Sequence, residues 1–235
     1  HLLAHRSGIG DYLDEGSGGN VRDYALPVPV HELATSEAYL RVLDGRPRVF
    51  APGERFAYTN SGYVLLAVLA ERAAGTDLPT LVSDLVCDPA GMPDTAFLRT
   101  DSLPGRAAVG YLDATGQRTN VLHLPVRGSG DGGTYSTLAD LHALWSALFA
   151  GQIVAPPLVE ELLRPRSDWP QESRRYGLGF HLAAAGDAVF MEGYDAGVSF
   201  LSLHQPSTAI TYTILANWSE GAWPMIRLLD ERLGT

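Results

Sequence analysis

The sequence contains no lysine, and all 17 basic residues are arginine. None of these 235 residues can therefore act as a lysine base or form a Schiff base. Cysteine is nearly absent too, with Cys87 alone. A single thiol excludes an internal disulfide framework and a Cys-rich zinc module, and it leaves the compartment open. No apolar run approaches the roughly 20 residues that cross a bilayer as a helix. Basic charge is scarce against 27 acidic residues, which gives a formal net charge of −10. That balance argues against duplex nucleic acid or an anionic membrane surface as a main partner. The beginning also lacks features. The chain opens His1-Leu2-Leu3, with no methionine, charged n-region or apolar h-region. It reads as the interior of a longer sequence, and the expectation is an N-terminally incomplete domain.

What is present is enough for a folded core. The chain is 46% hydrophobic and 19% charged, too apolar for a disordered segment and long enough for one large domain. No repeat or low-complexity linker divides it. Residues 7–30 are rich in Gly and Asp, including Gly16, Gly18 and Gly19, and read as loop. His31 to Leu43 has helical spacing. Residues 61–74 are nearly all apolar and stop at Gly75, which predicts a buried helix. Residues 79–87 predict another helix with proline at its start. Thr137 and Asp140 form a capping-box pattern ahead of a helix ending near Gly151, and 156–163 predict a short one. The last third changes period. Residues 176–183, 188–192, 197–204 and 208–216 alternate or are β-branched, with Gln205-Pro206-Ser207 as a hairpin turn. Residues 222–233 close the chain as an amphipathic helix. The expectation is one mixed α/β (α+β) domain over 1–235: a helical lobe with loops over about 1–165, then an antiparallel sheet and C-terminal helix over 166–235.

Two short segments carry chemistry. In Phe56-Ala57-Tyr58-Thr59-Asn60, Tyr58 and Asn60 lie two apart at the mouth of the buried helix. A tyrosine hydroxyl near cations can serve as a general base, and an asparagine beside it can orient a carbonyl. Structurally, the same pair suits a tyrosine packed on the helix and an asparagine N-cap. In Met191-Glu192-Gly193-Tyr194, a glycine on a strand admits close approach by a ligand, and an edge strand offers N–H groups to an oxyanion. Its alternatives are a β-bulge at Gly193 and a solvent-facing Glu192. His1 and His5 have metal-ligand spacing but no evident third ligand, and Asp11, Asp14 and Glu15 fall short of a calcium loop. The Gly-rich stretch 128–133 lacks the Lys-Ser/Thr of a phosphate loop. Cys87 reads as core. No cofactor or metal is expected.

Taken in order, several segments resemble the serine β-lactamase-like hydrolases, the superfamily of class C β-lactamases, DD-peptidases (penicillin-binding proteins) and related esterases. His1 to Ile9 resembles its LLxHxSG stretch, and Pro52 to Tyr63 its PGxxFxYSNxGY segment with the Tyr-x-Asn motif. Asp88 to Thr95 is similar to PLGMxDT, and Gly132 to Leu141 to GGLYSTAxDL. Tyr176-Gly-Leu-Gly-Phe180 and Gly193-x-x-x-Gly197-x-Ser199-Phe200 match the C-terminal pattern. The resemblance implies a β-lactamase/transpeptidase-like fold and a serine hydrolase acting through an acyl-enzyme on an ester, amide or β-lactam. It assigns Tyr58 the base role and Asn60 the orienting role, places Met191-Glu192-Gly193 at the third motif, and gives the Tyr194 N–H to the oxyanion hole. Tyr58 and Gly193 should then face one cleft. Two departures stand out. The S-x-x-K motif is absent, so its Ser and Lys are expected upstream. Met191 occupies the place of a Lys or His that would meet a substrate carboxylate, which favours an ester or amide hydrolase over a true β-lactamase; the alternative is a non-catalytic, ligand-binding relative. Arg174 or Arg175 is a candidate substitute for that cation. Oligomeric state is left open.

Overall fold

The computed structural model describes residues 1–13, 21 and 23–233. Asp14, Glu15, Gly16, Gly18 and Gly19 lie outside the described residues. The first part of the chain is helical. α1 (Ser36–Leu43) and α2 (Asn60–Ala74) pack side by side. Tyr39 and Val42 of α1 meet Val64 of α2, Tyr12, Val28 and Leu33 in one buried cluster. The helix expected from His31 starts later. A 3-10 turn at Val30–Glu32 comes first, and Thr35 then caps α1 by accepting the Ala38 N–H. α3 (Leu78–Val82) runs through a π-turn at Ser83–Cys87 into α4 (Asp88–Ala90). Cys87 is buried there, and burial raises its thiol pKa.

α5 (Leu138–Phe149) begins as the Thr137 pattern predicts, with the Thr137 hydroxyl accepting the Asp140 N–H. The other half of the capping box does not form. The Asp140 carboxylate instead accepts from the Asp94 N–H and the Thr95 hydroxyl, tying α5 to the segment after α4. α6 (Pro156–Leu162) follows. The Gly-rich stretch before α5 lies against α2. A Cβ on Gly130 would stand 2.1 Å from the Tyr63 carbonyl oxygen, so only glycine fits.

The remainder is a six-stranded antiparallel meander: β1 (Ser167–Trp169), β2 (Arg174–Tyr176), β3 (His181–Ala183), β4 (Val189–Asp195), β5 (Val198–Gln205) and β6 (Ile210–Ala216), in that order. The single strand expected over 176–183 is two, and β1 was not anticipated. Helices cover both faces. Phe190, Leu201 and Leu203 pack with Ala222 and with Ile226 of α7 (Trp223–Leu233) on one side. Val189 and Leu182 pack with Trp145, Leu148 and Val159 of α5 and α6 on the other. Neighbouring residues Val189 and Phe190 thus serve opposite cores, as a pleated strand requires. Each buried side chain of this size contributes roughly 1.5–3 kcal/mol. Trp145 locks helix to sheet, donating its indole N–H to the Ser202 hydroxyl at 2.8 Å. No helix among the described residues is long and apolar enough to cross a membrane.

Candidate functional site

A cleft of about 610 Å3 opens between the helical part and the sheet. Tyr58, Asn60, Met191, Glu192, Gly193 and Tyr194 all line it. Two segments more than 130 residues apart in sequence therefore share one concave surface.

The first wall is set by the entrance to α2. Asp11 fixes it. Its two carboxylate oxygens accept the backbone N–H groups of Asn60 and Ser61 at 3.1 Å each, where the orphan donors of a helix N-terminus and its positive dipole end favour an acid. The Asn60 amide also donates to Asp11 at 3.2 Å. Asn60 is therefore the first residue of α2 rather than its cap, and Thr59, in the cap position, makes no side-chain capping bond. Tyr58 precedes it in extended chain and is about one-third exposed. Its ring lies nearly parallel to those of Trp169 and His181, with centroids 6.2 Å away in both cases. Trp169 and His181 line the cleft too.

Behind Tyr58 sits His5. Its Nδ1 accepts the Thr59 N–H at 3.1 Å, so the proton resides on Nε2, which donates to the Tyr176 hydroxyl at 3.1 Å. Tyr63 donates its hydroxyl to the Leu3 carbonyl. Burial holds the imidazole uncharged and lowers its pKa to about 4. With both nitrogens engaged, the metal-ligand spacing of His1 and His5 is not used. His181 is likewise desolvated to about 3, helped by Arg174, and its Nδ1 has no hydrogen-bond partner.

The second wall is β4. β3 pairs only with Val189 and Phe190, whereas β5 pairs with every β4 residue from Val189 to Asp195. Among the described residues β3 thus leaves the ladder before 191–195, although β4 as a whole lies inside the sheet. Gly193 is not a bulge. It pairs in register with Phe200, and a Cβ there would lie 2.3 Å from the Phe200 ring. The glycine makes room for that ring. Glu192 does not face solvent. It is half-buried and ion-paired with Arg174 of β2, whose guanidinium sits 5.0 Å from the Phe190 ring centroid. The Arg174 charge is thereby committed to an internal partner, and Arg175 hydrogen-bonds the Ala183 carbonyl.

At another part of the cleft, Tyr12 donates its hydroxyl to Asp131, and Tyr39 donates to the Arg127 carbonyl at 2.5 Å. Burial raises the Asp131 carboxyl to about 7, against the lowering effect of the Tyr12 bond. Sequence reasoning passed over His5, Trp169, His181, Asp11 and Asp131 as cleft-building residues. For all but Trp169 the available signal was position, inside or close beside a segment already singled out; Trp169 lies on β1, which no pattern announced. Among the described residues, no group of three or more His, Cys, Asp or Glu is placed to hold a metal.

A sequence profile of the Beta-lactamase family matches residues 1–233. A penicillin-binding protein of Bacillus subtilis is 28% identical over 238 residues, 94% of this chain and 51% of its own length. The esterase EstB of Burkholderia gladioli is 36% identical over 124 residues, 48% of this chain and 28% of its own length. The chain thus spans about half the length, or less, of these relatives. Among solved structures, the penicillin binding protein from Bacillus halodurans superposes with a TM-score of 0.92 at 32% identity, over 98% of this chain and 72% of that one.

Proposed function

The chain belongs to the beta-lactamase family, and on that premise we propose that it is part of a serine hydrolase that opens an ester or amide through an acyl-enzyme. The relatives named as an esterase and a D-aminopeptidase support the reaction class. The single observation that carries the reading is the convergence of Tyr58, Asn60 and residues 191–194 on one cleft. The nucleophilic Ser and its Lys come from chain outside these residues, because the sequence holds no lysine at all.

The proposed chemistry follows from the two walls. The serine oxygen bonds to the substrate carbonyl carbon while Tyr58, held as the phenolate by the motif's Lys, takes its proton, and Asn60 orients the carbonyl. Charge gathers on the carbonyl oxygen and is met by the Tyr194 N–H of β4, a residue that lines the cleft. The C–O or C–N bond then breaks, and Tyr58 returns the proton to the leaving oxygen or nitrogen. Water repeats the sequence on the acyl-enzyme and releases the acid. No arginine lines the cleft among its described residues, and Glu192 is occupied by Arg174. Substrates without a carboxylate beside the scissile bond fit this wall, in preference to penicillins.

The test is intact mass of the full-length protein with a fluorophosphonate, alongside turnover of p-nitrophenyl esters. A single adduct is expected, and Tyr58→Phe should slow acylation by roughly 100- to 10,000-fold, the range for loss of a general base. No adduct and no turnover on any ester or amide would instead make the protein a ligand-binding relative. Unchanged turnover in Tyr58→Phe would remove that residue from the mechanism.

A further inference from the structure

Three non-glycine residues among those described have positive φ: His5, Ser173 and Ala209. Ser173 and Ala209 are exposed, whereas His5 is 1% exposed. At φ of 51° its backbone lies in the left-handed region, which costs a non-glycine residue about 1 kcal/mol or more. A buried histidine kept in that conformation raises the question of what the conformation does.

It lets one residue hold the chain on both sides of Tyr58. The His5 carbonyl accepts the Ala57 N–H at 2.9 Å, and the His5 imidazole accepts the Thr59 N–H at 3.1 Å. Between these two bonds, the imidazole ring packs on the Tyr58 ring itself, with centroids 4.2 Å apart and planes 32° apart. Residues 57–59 belong to no helix or strand, so no ladder fixes them. A proton-transfer group has to be held to within a fraction of an ångström of its target, and a group on a bare loop needs an outside brace.

We infer that His5 is the positioning residue for Tyr58, gripping the backbone before and after it and backing its ring. The inference rests on the reading of Tyr58 as the proton-transfer group. His5 does not line the cleft and touches no reacting atom. Its tautomer matters, because Nδ1 must stay an acceptor. The Thr59 N–H sets this, and the Tyr176 hydroxyl supports it by accepting the Nε2 N–H at 3.1 Å, with Tyr63 3.5 Å beyond. The groups facing His5 are therefore Tyr58, Phe56, Tyr63 of α2 and Tyr176 of β2, with no carboxylate or arginine among these ring neighbours.

The experiment measures kcat, KM and Tm for His5→Asn, His5→Gly and Tyr58→Phe in the full-length protein, with Val42→Ala as a destabilised control in the α1 core. Asn places an oxygen where Nδ1 stands and tolerates left-handed backbone. Gly relieves the backbone but offers no acceptor. His5→Gly should lose roughly 10- to 100-fold in kcat with KM nearly unchanged, and His5→Asn should recover most of it. Val42→Ala should lower Tm while sparing kcat per folded molecule. His5→Gly with wild-type kcat, or with a loss no larger than the folded fraction explains, overturns the inference. Should His5→Gly not fold, Tyr176→Phe decides: a several-fold fall in kcat is expected, and an unchanged kcat overturns it. Tyr58→Phe inert beside a fully active His5→Gly removes this inference alone. Tyr58→Phe with normal turnover, or a wild type that turns over nothing, removes the reading of the site and this inference with it.

Discussion

The imidazole cluster in and behind one wall of the cleft and the carboxyl on another treat charge alike but answer pH in opposite directions. His5 and His181 are packed among Tyr58, Tyr176, Phe56, Trp169 and Phe190. Asp131 is packed with Tyr12 near Tyr39. In all three, desolvation is the largest influence, and it disfavours whichever form is charged. It moves the histidines down to about 4 and about 3 and the aspartate up to about 7. The lesson is that the formal charge of −10 does not describe the cleft. That count already takes histidine as neutral; what burial changes is Asp131, which keeps a proton up to about 7.

The largest expected effect is on the acid side. The unfolded histidine takes a proton near pH 6.5, whereas folded His5 resists until about 4. Stability conferred by the neutral ring is therefore whole above 6.5 and is lost as pH falls toward 4, by about 3 kcal/mol for this residue. His181 acts in the same direction down to about 3. Denaturant midpoints measured from pH 7 to 4 should fall steeply, and His5→Asn should flatten much of that limb. A flat wild-type profile would break the comparison.

A smaller effect of opposite sign belongs to Asp131. Its folded carboxyl keeps a proton up to about 7, above the 3.8 of the free group. Stability is then greatest below 3.8 for this residue and declines as pH rises through 7. Asp131→Asn keeps the Tyr12 acceptor and removes the titration. Its Tm should gain on wild type between pH 4 and 7, and an identical pH slope would show that the carboxyl is ionised throughout. The smallest effect is expected at an open surface. Glu32 is lowered by its bond to Arg41, yet both side chains stand in water. Glu32→Gln should leave Tm and both pH limbs where they were, which would assign the two limbs to burial rather than to charge as such.

Much of this was legible from local spacing. The apolar run to Ala74, the Thr137 cap, the β5–β6 hairpin and the closing helix all follow from pattern within a few residues. The motif segments were legible as candidates, and the structure brings them to one cleft. What the sequence hid was every partner chosen across distance. Asp140 has the spacing of a capping box, but Asp94 and Thr95 compete for its carboxylate. Asn60 looks like a cap, but Asp11, 49 residues earlier, takes that role. His5 carries metal-ligand spacing, yet it bonds Tyr176, 171 residues away. Backbone sign is equally hidden, since nothing in the letters around His5 announces a positive φ.

The unequal pairing of β4 has a consequence for how the strand can change over generations. Its first two residues are ladder members on both sides and core on both faces. Substitution there is judged by volume, and a methyl group too many is rejected wherever it points. Two steps along, the same strand has left its pairing with β3 and lines the cleft. Substitution there is judged by what the cleft must receive. Met191 and Glu192 stand on that boundary, lining the cleft while Met191 packs on the core of Trp145 and Leu182 and Glu192 pairs with Arg174. One short strand thus carries architecture at one end and the wall of a cleft at the other.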